Sequence, residues 1–407
     1  MLLGVLGATA QQRTVDEVKK SISDLSVNLK TYQSAVDKIK PALTHEATKD
    51  KAETWWVAMR VQYGLYDKYK VSKEVGNKVD AKAMGHALLD GYGYGVQAMK
   101  LDTLWEKNKD GSLKLDKHGA PKYKTKFSKD VRNKMVDYLV DYSVTGVELY
   151  AAKDYEGAYK SWDIYNDVAT SSFARQRHKI EPDSVLGISR FYQGLAAFHL
   201  KKYVDAHRLF TLARNYGYDK KTVYDNDIAA LLTAGDTTTA VQVTRDAFHK
   251  YGKQDIQYMR ILINDCIGHQ NYDEAMRLLD YAILTDSTNA DYFDLKGNIA
   301  ELLTSYLDAR PYYERAVELN DSSARSQFDL GRCYYLEALH VMRNNTLKPA
   351  KKLMREVTPT FRKALSHLER AYAIDPSNQD TRNILRDIYY KLGDAANLEK
   401  LEHAPTR

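Results

Sequence analysis

A pattern of small and large residues recurs about every 34 residues and constrains the fold of this chain more than any other feature. In its clearest copy the small residues are Gly194, Ala206 and Ala213, and the large ones are Tyr203 and Phe210. The position of Gly194 is occupied in the other copies by Gly146, Ile228, Ile263, Gly297 and Gly331. Small residues let two helices approach closely, and large residues fill the space beside them. The pattern therefore predicts a series of helix pairs.

The copy that begins at Gly331 is interrupted by an insertion. Its second helix is displaced by 21 residues, so that the equivalent positions arrive late, at Ala364, Leu368 and Ala371. The interruption spans residues 337–359. We expect the insertion to lengthen both helices of this pair around residues 344–346.

This period and pattern resemble the tetratricopeptide repeat, a 34-residue helix–turn–helix unit. Residues 154–158 and 271–275 have the tight turn and the acidic first turn of a second helix. Residues 374–376, Ile-Asp-Pro, end a repeat because proline cannot continue a helix. The resemblance implies an all-α, right-handed superhelical solenoid of antiparallel helix pairs, built as one stack rather than as two or three separate domains.

The pattern divides the chain into four segments. Residues 136–379 form the repeat array, and residues 380–407 form capping helices at its end. Residues 11–135 are divergent repeats, in which a helix near Trp55 is expected to pair with a helix over residues 83–101. Residues 1–10 are the remnant of a signal peptide.

The export prediction depends on an apolar run over residues 2–10 that ends in Ala8-Thr9-Ala10 and is followed by Gln11. A short apolar run before a small-x-small site is typical of a secretory signal. Together with residues 361–376 and the tyrosine-rich repeats, this start resembles exported, periplasmic repeat proteins of the Bacteroidetes. No lysine or arginine precedes the run, so a cytoplasmic protein with a disordered apolar end is the alternative.

Basic residues are concentrated in one segment. Residues 100–134 contain 11 basic and five acidic residues, a net charge of +6 that equals that of the whole chain. Asp110-Gly111 favours a loop or short hairpin near residues 105–130. The segment is a candidate contact for an acidic partner or, less favourably, nucleic acid, and a solvated loop is the alternative. Its candidate contact residues are Lys122, Lys124, Lys126 and Lys129.

No motif in the sequence points to catalysis or to a cofactor. The 11 histidines have no metal-ligand spacing, and the glycine-rich residues 91–95 lack the features of a nucleotide-binding loop. Close packing of a helix, or a break in one, explains those glycines better. Cys266 and Cys333 lie about two repeats apart, too far for a disulfide, and are expected to pack as small apolar residues. We therefore expect a non-enzymatic protein with no catalytic, cofactor-binding or metal-binding residues.

The resemblance implies binding through the concave groove lined by the first helices. Carried onto this chain, the groove positions give the following candidate residues: Phe191, Leu195, Phe198, His199, Arg260, Asn264, Asp294, Asn298, Phe328, Arg332, Tyr335 and Tyr390. Aromatic side chains with arginine and asparagine are typical of peptide-binding surfaces. Alternatively, Phe191, Phe198 and Phe328 pack between repeats. Arg260 and Asn264 match part of a carboxylate clamp known in one subfamily, but Leu295 departs from it.

These observations predict a protein- or peptide-binding scaffold or adaptor in a bacterial envelope assembly. A cytoplasmic adaptor or regulator is the alternative, and a nucleic-acid binder that uses residues 100–134 is a weaker one. The sequence leaves the partner and the oligomeric state open.

Overall fold

The computed structural model describes residues 2–23, 27–177, 179–251, 256–303 and 306–403, with only the backbone of residues 2–10 and 256. The chain divides into two compact units, Met1–Ala240 and Val241–Arg407, a boundary that lies inside the predicted repeat array. The described residues form twenty α-helices, one 3₁₀ turn and two short strands.

The first unit contains eleven of these helices. They are α1 (Leu2–Ser21), α2 (Leu29–Ile39), the 3₁₀ turn Lys40–Leu43, α3 (Ala52–Glu74), α4 (Ala81–Leu101), strands β1 (Leu104–Trp105) and β2 (Tyr123–Lys124), α5 (Ser128–Asp137), α6 (Leu139–Ala151), α7 (Tyr155–Thr170), α8 (Ser172–Gln176), α9 (Asp183–His199), α10 (Tyr203–Asn215) and α11 (Lys221–Ala234).

Helix α12 (Thr237–Tyr251) runs across the boundary between the units. The helices of the second unit are α13 (Ile256–Gly268), α14 (Tyr272–Thr285), α15 (Ala290–Leu303), α16 (Tyr306–Leu319), α17 (Ala324–Asn344), α18 (Ala350–Ile374), α19 (Gln379–Leu392) and α20 (Ala395–His403). Consecutive helices form antiparallel pairs, which confirms the predicted all-α, tetratricopeptide-like fold.

The predicted small and large positions meet in the same way in three helix pairs. In each pair a glycine of the first helix lies under an aromatic ring sixteen residues later in the second helix, so closely that a Cβ on the glycine would clash. The contacts, measured from such a Cβ, are Gly146 to Trp162 at 2.6 Å, Gly194 to Phe210 at 2.7 Å and Gly297 to Tyr313 at 2.5 Å. This repeated contact is the physical basis of the 34-residue pattern.

The interrupted pair keeps the same contact despite its insertion. A Cβ on Gly331 would lie 2.6 Å from Leu368, the residue predicted to occupy the large position 21 residues late. The inserted residues extend α17 and α18, which run over 21 and 25 residues, and the turn between them lies at residues 345–349. The expectation that the insertion lengthens both helices is confirmed.

Successive pairs in the second unit are also joined by a recurring hydrogen bond. Tyr334 in α17 donates to Glu314 in α16 at 2.8 Å, and Tyr389 in α19 donates to Glu369 in α18 at 2.8 Å. In both cases the two residues are twenty positions apart in the sequence. Each bond therefore links a second helix to the first helix of the next pair.

Tyrosine is the commonest aromatic residue, with 31 copies against nine phenylalanines, and many of its hydroxyls bind carboxylates. A buried hydroxyl needs a hydrogen-bond partner, whereas phenylalanine would leave the carboxylate unpaired. Tyrosine–carboxylate hydrogen bonds include Tyr66–Asp141, Tyr92–Asp167, Tyr138–Asp67, Tyr159–Asp205, Tyr313–Glu301, Tyr334–Glu314, Tyr335–Asp387 and Tyr389–Glu369.

The divergent N-terminal segment is helical, and α3 packs on α4 as predicted. The glycine-rich stretch lies inside α4 without breaking it. Added Cβ atoms on Gly91 and Gly95 would lie 2.8 Å from Tyr63 and 2.9 Å from Val131, whereas Gly93 faces open space. Two of the three glycines therefore allow close packing, as the sequence indicated.

The predicted hairpin is present between α4 and α5. Strands β1 and β2 are antiparallel, and further bridges join Lys107 to Leu113 and Leu115 to Pro121. Gly111 adopts a φ of +87° at one turn, a backbone conformation that favours glycine. The base of the hairpin is held by Asp102, which accepts hydrogen bonds from three backbone amides at residues 126–128 and from the Ser128 hydroxyl.

The predicted leader falls largely outside the described side chains, since residue 1 is not described and residues 2–10 are described only as backbone of α1. Beyond them, Val15 and Val18 of α1 are buried against α2 and α3. Within the described residues, no helix has the length and apolar character needed to cross a membrane.

Candidate partner-binding site

Three of the predicted groove residues meet at a cavity of about 350 Å³ in the second unit. Arg260 and Asn264 come from α13, and Asp294 comes from α15, the first helix of the next pair. The remaining lining residues are Ile263, Asn289, Asp291, Tyr292, Leu295 and Arg325. The cavity thus has apolar walls and charged groups of both signs.

Asp294 is the buried acidic group of this cavity, with 3% of its surface exposed. Its Oδ2 atom accepts a hydrogen bond of 2.5 Å from the Ser326 hydroxyl. Its Oδ1 atom is buried and has no hydrogen-bond partner among the residues that the structure describes. Burial raises the pKa of Asp294 to about 6, because the charged form has lost its solvation.

The two arginines of the cavity are exposed. No described residue forms an ion pair with Arg260, and Arg325 approaches Asp329 only at 3.8 Å, with 65% of its side chain exposed. Loose pairs of this kind contribute little to stability. Arg260 is therefore open to an anionic group of a partner, and the loose contact of Arg325 with Asp329 leaves most of its guanidinium group accessible to one as well.

Asn298 and Arg332 lie deeper and are committed to a polar network around Glu301. Arg332 binds both carboxylate oxygens of Glu301, at 2.6 and 2.8 Å, and Tyr313 donates to Glu301 at 3.0 Å and to Asn298 at 3.2 Å. A bidentate pair of this kind fixes side-chain geometry. These residues support the site from behind rather than lining the cavity.

The last three predicted groove residues in this unit are separated from the cavity lining. Phe328 is half-buried beside the Arg332 guanidinium, 5.8 Å from its ring centre. The Tyr335 hydroxyl donates to Asp387 at 2.7 Å, so its polar end is occupied. Tyr390 is 76% exposed and remains available for contact.

The four candidates in the first unit do not form an open polar surface. Phe191 is buried, and Leu195 and Phe198 are half-buried against the same hydrophobic cluster. His199 is exposed and stacks on Tyr155, with ring centres 4.3 Å apart. Phe191 and Phe198 both pack in this cluster, and their assignment to a groove stays a prediction.

The basic hairpin is a second candidate contact surface. Lys122, Lys124, Lys126 and Lys129 are all exposed. Large apolar side chains lie among the lysines, each between 41% and 58% exposed: Leu104, Trp105, Leu113, Leu115 and Tyr123. Solvated loops seldom display so many apolar groups together.

The acidic side chains of the hairpin form hydrogen bonds or ion pairs within the hairpin itself. Asp110 accepts hydrogen bonds from the Ser112 amide and hydroxyl, and Asp116 accepts from two amides in the second turn. Glu106 lies 3.4 Å from Lys124 and 3.8 Å from Lys114. The lysines that remain give the hairpin an uncompensated positive field.

Six residues of the cavity were not among the predicted groove residues, and three of them are polar or charged: Asn289, Asp291 and Arg325. Asp291 and Arg325 each lie three residues before a predicted groove residue, Asp294 and Phe328, and so one helical turn closer to the start of their helices. The cavity is formed by the N-terminal ends of α15 and α17. Extending the groove positions by one turn would have found Asp291 and Arg325, whereas Asn289 precedes α15.

A further cavity of about 550 Å³ in the first unit was not predicted. Aromatic and polar side chains line it: Trp55, His86, Leu89, Asp90, Tyr92, Gly93, Tyr94, Gln97, Lys160, Asp163 and Ile164. Burial raises the pKa of Asp90. In the described part of the chain no three His, Cys, Asp or Glu side chains are grouped as metal ligands would be.

No protein-family model matches the sequence, and no curated protein matches it either. Solved structures with a similar fold include the C-terminal part of a tetratricopeptide repeat protein from Cytophaga hutchinsonii, with 14% identity, a TM-score of 0.42, and coverage of 63% of this chain and 94% of that one. YrrB is described as a tetratricopeptide repeat protein with an unusual peptide-binding site. It has 14% identity and a TM-score of 0.36, and the match covers 49% of this chain and 95% of YrrB. MamA from Desulfovibrio magneticus has 12% identity and a TM-score of 0.35, and the match covers 49% of this chain and 98% of that MamA chain. Likenesses at this level carry no argument about function, and the repeat assignment rests on the chain's own helix packing.

Proposed function

We propose that this chain is a non-enzymatic scaffold that binds a protein or peptide partner through the first-helix surface of its second unit. The observation that carries the proposal is the cavity to which α13 and α15 contribute Arg260, Asn264 and Asp294. Successive pairs of a repeat array present equivalent positions side by side, and an extended peptide can contact several of them at once.

The composition of the cavity supports a peptide rather than a purely apolar ligand. Apolar contact is offered by Ile263, Tyr292 and Leu295. The exposed arginines and the asparagine offer hydrogen bonds and charge. Tyrosine and arginine are the residue types that contribute most to binding energy in protein interfaces. The network around Glu301 holds the neighbouring helices in place, so little ordering is needed on binding.

The test is affinity capture from the native organism, with crosslinking, of partners that bind the intact chain. The variant Arg260→Glu reverses a charge at the cavity. The matched control Arg277→Glu reverses the same charge on α14, the second helix of the same pair, where Arg277 is exposed and, among the described residues, pairs with Glu274 alone. A partner recovered with the wild type and the control, but lost with Arg260→Glu, supports the proposal. Equal recovery with both variants contradicts it.

We also propose that the scaffold acts in the bacterial envelope. The apolar run over residues 2–10 and its Ala-Thr-Ala ending support export. Cleavage after Ala10 would keep Val15, Val18 and the other core residues described in α1. A mature N-terminus at Gln11 in an exported fraction would support this location, and an intact N-terminus in the cytoplasm would contradict it.

A second candidate function is docking of the basic hairpin on an acidic protein surface. It is favoured by the exposed leucines, which need an apolar surface that a phosphate backbone does not offer. The test changes Lys122, Lys124, Lys126 and Lys129 to Gln and measures binding to immobilised poly-glutamate and to single-stranded DNA. The matched control changes four exposed lysines outside the hairpin: Lys351, Lys352, Lys363 and Lys400. Loss of poly-glutamate binding in the hairpin variant alone supports the candidate, and preferential, steeply salt-dependent DNA binding indicates a nucleic-acid contact instead.

A further inference from the structure

We propose that the cavity at α13, α15 and α17 is a subsite for a lysine side chain of the partner, whose ammonium group binds Asp294 while acidic residues beside the lysine bind Arg260 and Arg325. This inference rests on the proposed function and names the chemistry of its partner. No motif in the sequence distinguishes this subsite from the rest of the groove.

The unpartnered oxygen of Asp294 is the first support. Asp294 lines the cavity, its Oδ1 atom is buried, and no described residue donates to that atom, although the other oxygen accepts from Ser326. Buried carboxylate oxygens almost always have donors. A donor supplied by a bound partner would complete the site.

The surrounding charges favour a cation at this position. Among the charged residues of the cavity and of the network around Glu301, four are acidic (Asp291, Asp294, Glu301 and Asp329) and three are arginines (Arg260, Arg325 and Arg332). Arg332 binds Glu301 and Asp329, Arg325 lies 3.8 Å from Asp329, and neither is bonded to Asp294. A basic group flanked by acidic ones matches this arrangement of an acidic interior and basic edges.

The shape of the site selects lysine over arginine. Since Oδ2 of Asp294 already accepts from Ser326, a guanidinium group would have to share that oxygen to form its usual two parallel hydrogen bonds, whereas an ammonium group can bind at Oδ1 alone. The apolar walls formed by Ile263, Tyr292 and Leu295 suit the methylene stem of a lysine. A cavity of about 350 Å³ is at the small end of ligand sites and has room for one such side chain with its main chain.

The experiment uses the full chain and three blocked pentapeptides, acetyl-Glu-Glu-X-Glu-Glu-amide, in which X is lysine, arginine or norleucine. Norleucine keeps the methylene stem and removes the charge. Calorimetric titration is expected to show that the lysine peptide binds at least tenfold more tightly than the norleucine peptide, with arginine between them. This comparison is made on the wild type and does not depend on a variant that folds.

The variant Asp294→Asn is then expected to lower affinity for the lysine peptide about tenfold and to leave the norleucine peptide unchanged. The control Asp273→Asn removes an exposed charge on α14 and is expected to change neither. Any of three results would overturn the subsite. They are equal affinity for the lysine and norleucine peptides, no binding of any peptide, and an unchanged affinity of Asp294→Asn for the lysine peptide. The scaffold function is judged separately, by partner capture with Arg260→Glu, and stands if only the lysine preference fails.

Discussion

Gly297 in α15 lies directly beneath the ring of Tyr313 in α16, and a Cβ added to Gly297 would come within 2.5 Å of the ring. The ring cannot move aside freely, because its hydroxyl donates to Glu301 and Tyr313 is fully buried. The absence of a side chain at Gly297 is therefore a packing requirement of this helix pair.

Replacing Gly297 with alanine should destabilise the second unit by about 1–3 kcal/mol, because overpacking outweighs the gain in helix propensity. The matched control is Gly93→Ala in α4, where nothing lies within 4 Å of an added Cβ. That change should raise stability by about 0.5–1 kcal/mol. Urea unfolding followed by circular dichroism measures both, and stabilisation by Gly297→Ala would show that the contact is relaxed in solution.

Replacing Asp102 with asparagine should loosen the base of the hairpin. Burial alone would raise the pKa of Asp102, but hydrogen bonds from the Lys126 amide, the Ser128 hydroxyl and two further amides outweigh it and hold that pKa below its usual range. The stabilisation is therefore present above about pH 4 and is lost as the pH falls through the lowered pKa. In the asparagine variant an NH₂ group would face these donors, which should lower the free energy of unfolding by about 1–3 kcal/mol.

Hydrogen exchange of the amides at residues 126–128 should accelerate in Asp102→Asn, with a lower urea midpoint. The control Asp110→Asn, in an exposed turn, should leave both the exchange of these amides and the urea midpoint unchanged. Unchanged exchange at these three amides would contradict the anchoring role of Asp102.

The Asp294 carboxyl should make the second unit less stable as the pH rises. Because burial raises its pKa to about 6, the folded chain holds this proton more tightly than the unfolded chain. The contribution of the Asp294 carboxyl to the free energy of unfolding is fully present below about pH 4 and is lost as the pH rises through 6. Unfolding free energies of the wild type and Asp294→Asn should diverge in favour of the variant between pH 4.5 and 8, by up to about 3 kcal/mol. A pH-independent difference would mean that Asp294 is solvated.

Both cysteine thiols should resist modification in the folded chain. Cys266 and Cys333 are buried and unpaired, and burial raises the pKa of Cys333 to about 12. The Cys333 thiol also donates to the Tyr306 carbonyl. A thiol-specific reagent at pH 8 should label neither residue in the native protein and both in guanidinium chloride. The variant Cys333→Ser, with one remaining thiol, identifies which residue reacts if native labelling occurs.

The repeat pattern predicts the fold well because it records contacts between residues close in sequence. Gly194 and Phe210 are sixteen residues apart, and the same spacing recurs in the pairs that contain Gly146 and Gly297. The insertion could also be located from the pattern. Leu368 occupies the large position that pairs with Gly331, and it comes 21 residues later than in an uninterrupted repeat. The hairpin was predicted from its turn residues in the same local way.

The candidate site was less predictable because its properties depend on burial and on hydrogen bonds. Groove positions identified Arg260, Asn264 and Asp294, but the same positions also pointed to Phe191, which is buried. Position within a helix does not show which side chains a neighbouring pair covers. The free oxygen of Asp294 follows from the placement of Ser326, which no periodic pattern encodes.

The two tyrosine–glutamate bonds between helix pairs have a consequence for how this chain can change in length. Glu314 and Glu369 are 55 residues apart, as are their partners Tyr334 and Tyr389. Deleting residues 315–369 would therefore leave Tyr389 twenty residues after Glu314, the spacing at which the bond already forms. Gly331 and Leu368 would leave together, whereas Glu301 would lose Arg332 and Asp294 would lose Ser326. The tyrosine–glutamate spacing would therefore let the shortened array close on a contact that the chain already contains, but only with loss of the polar contacts between α15 and α17.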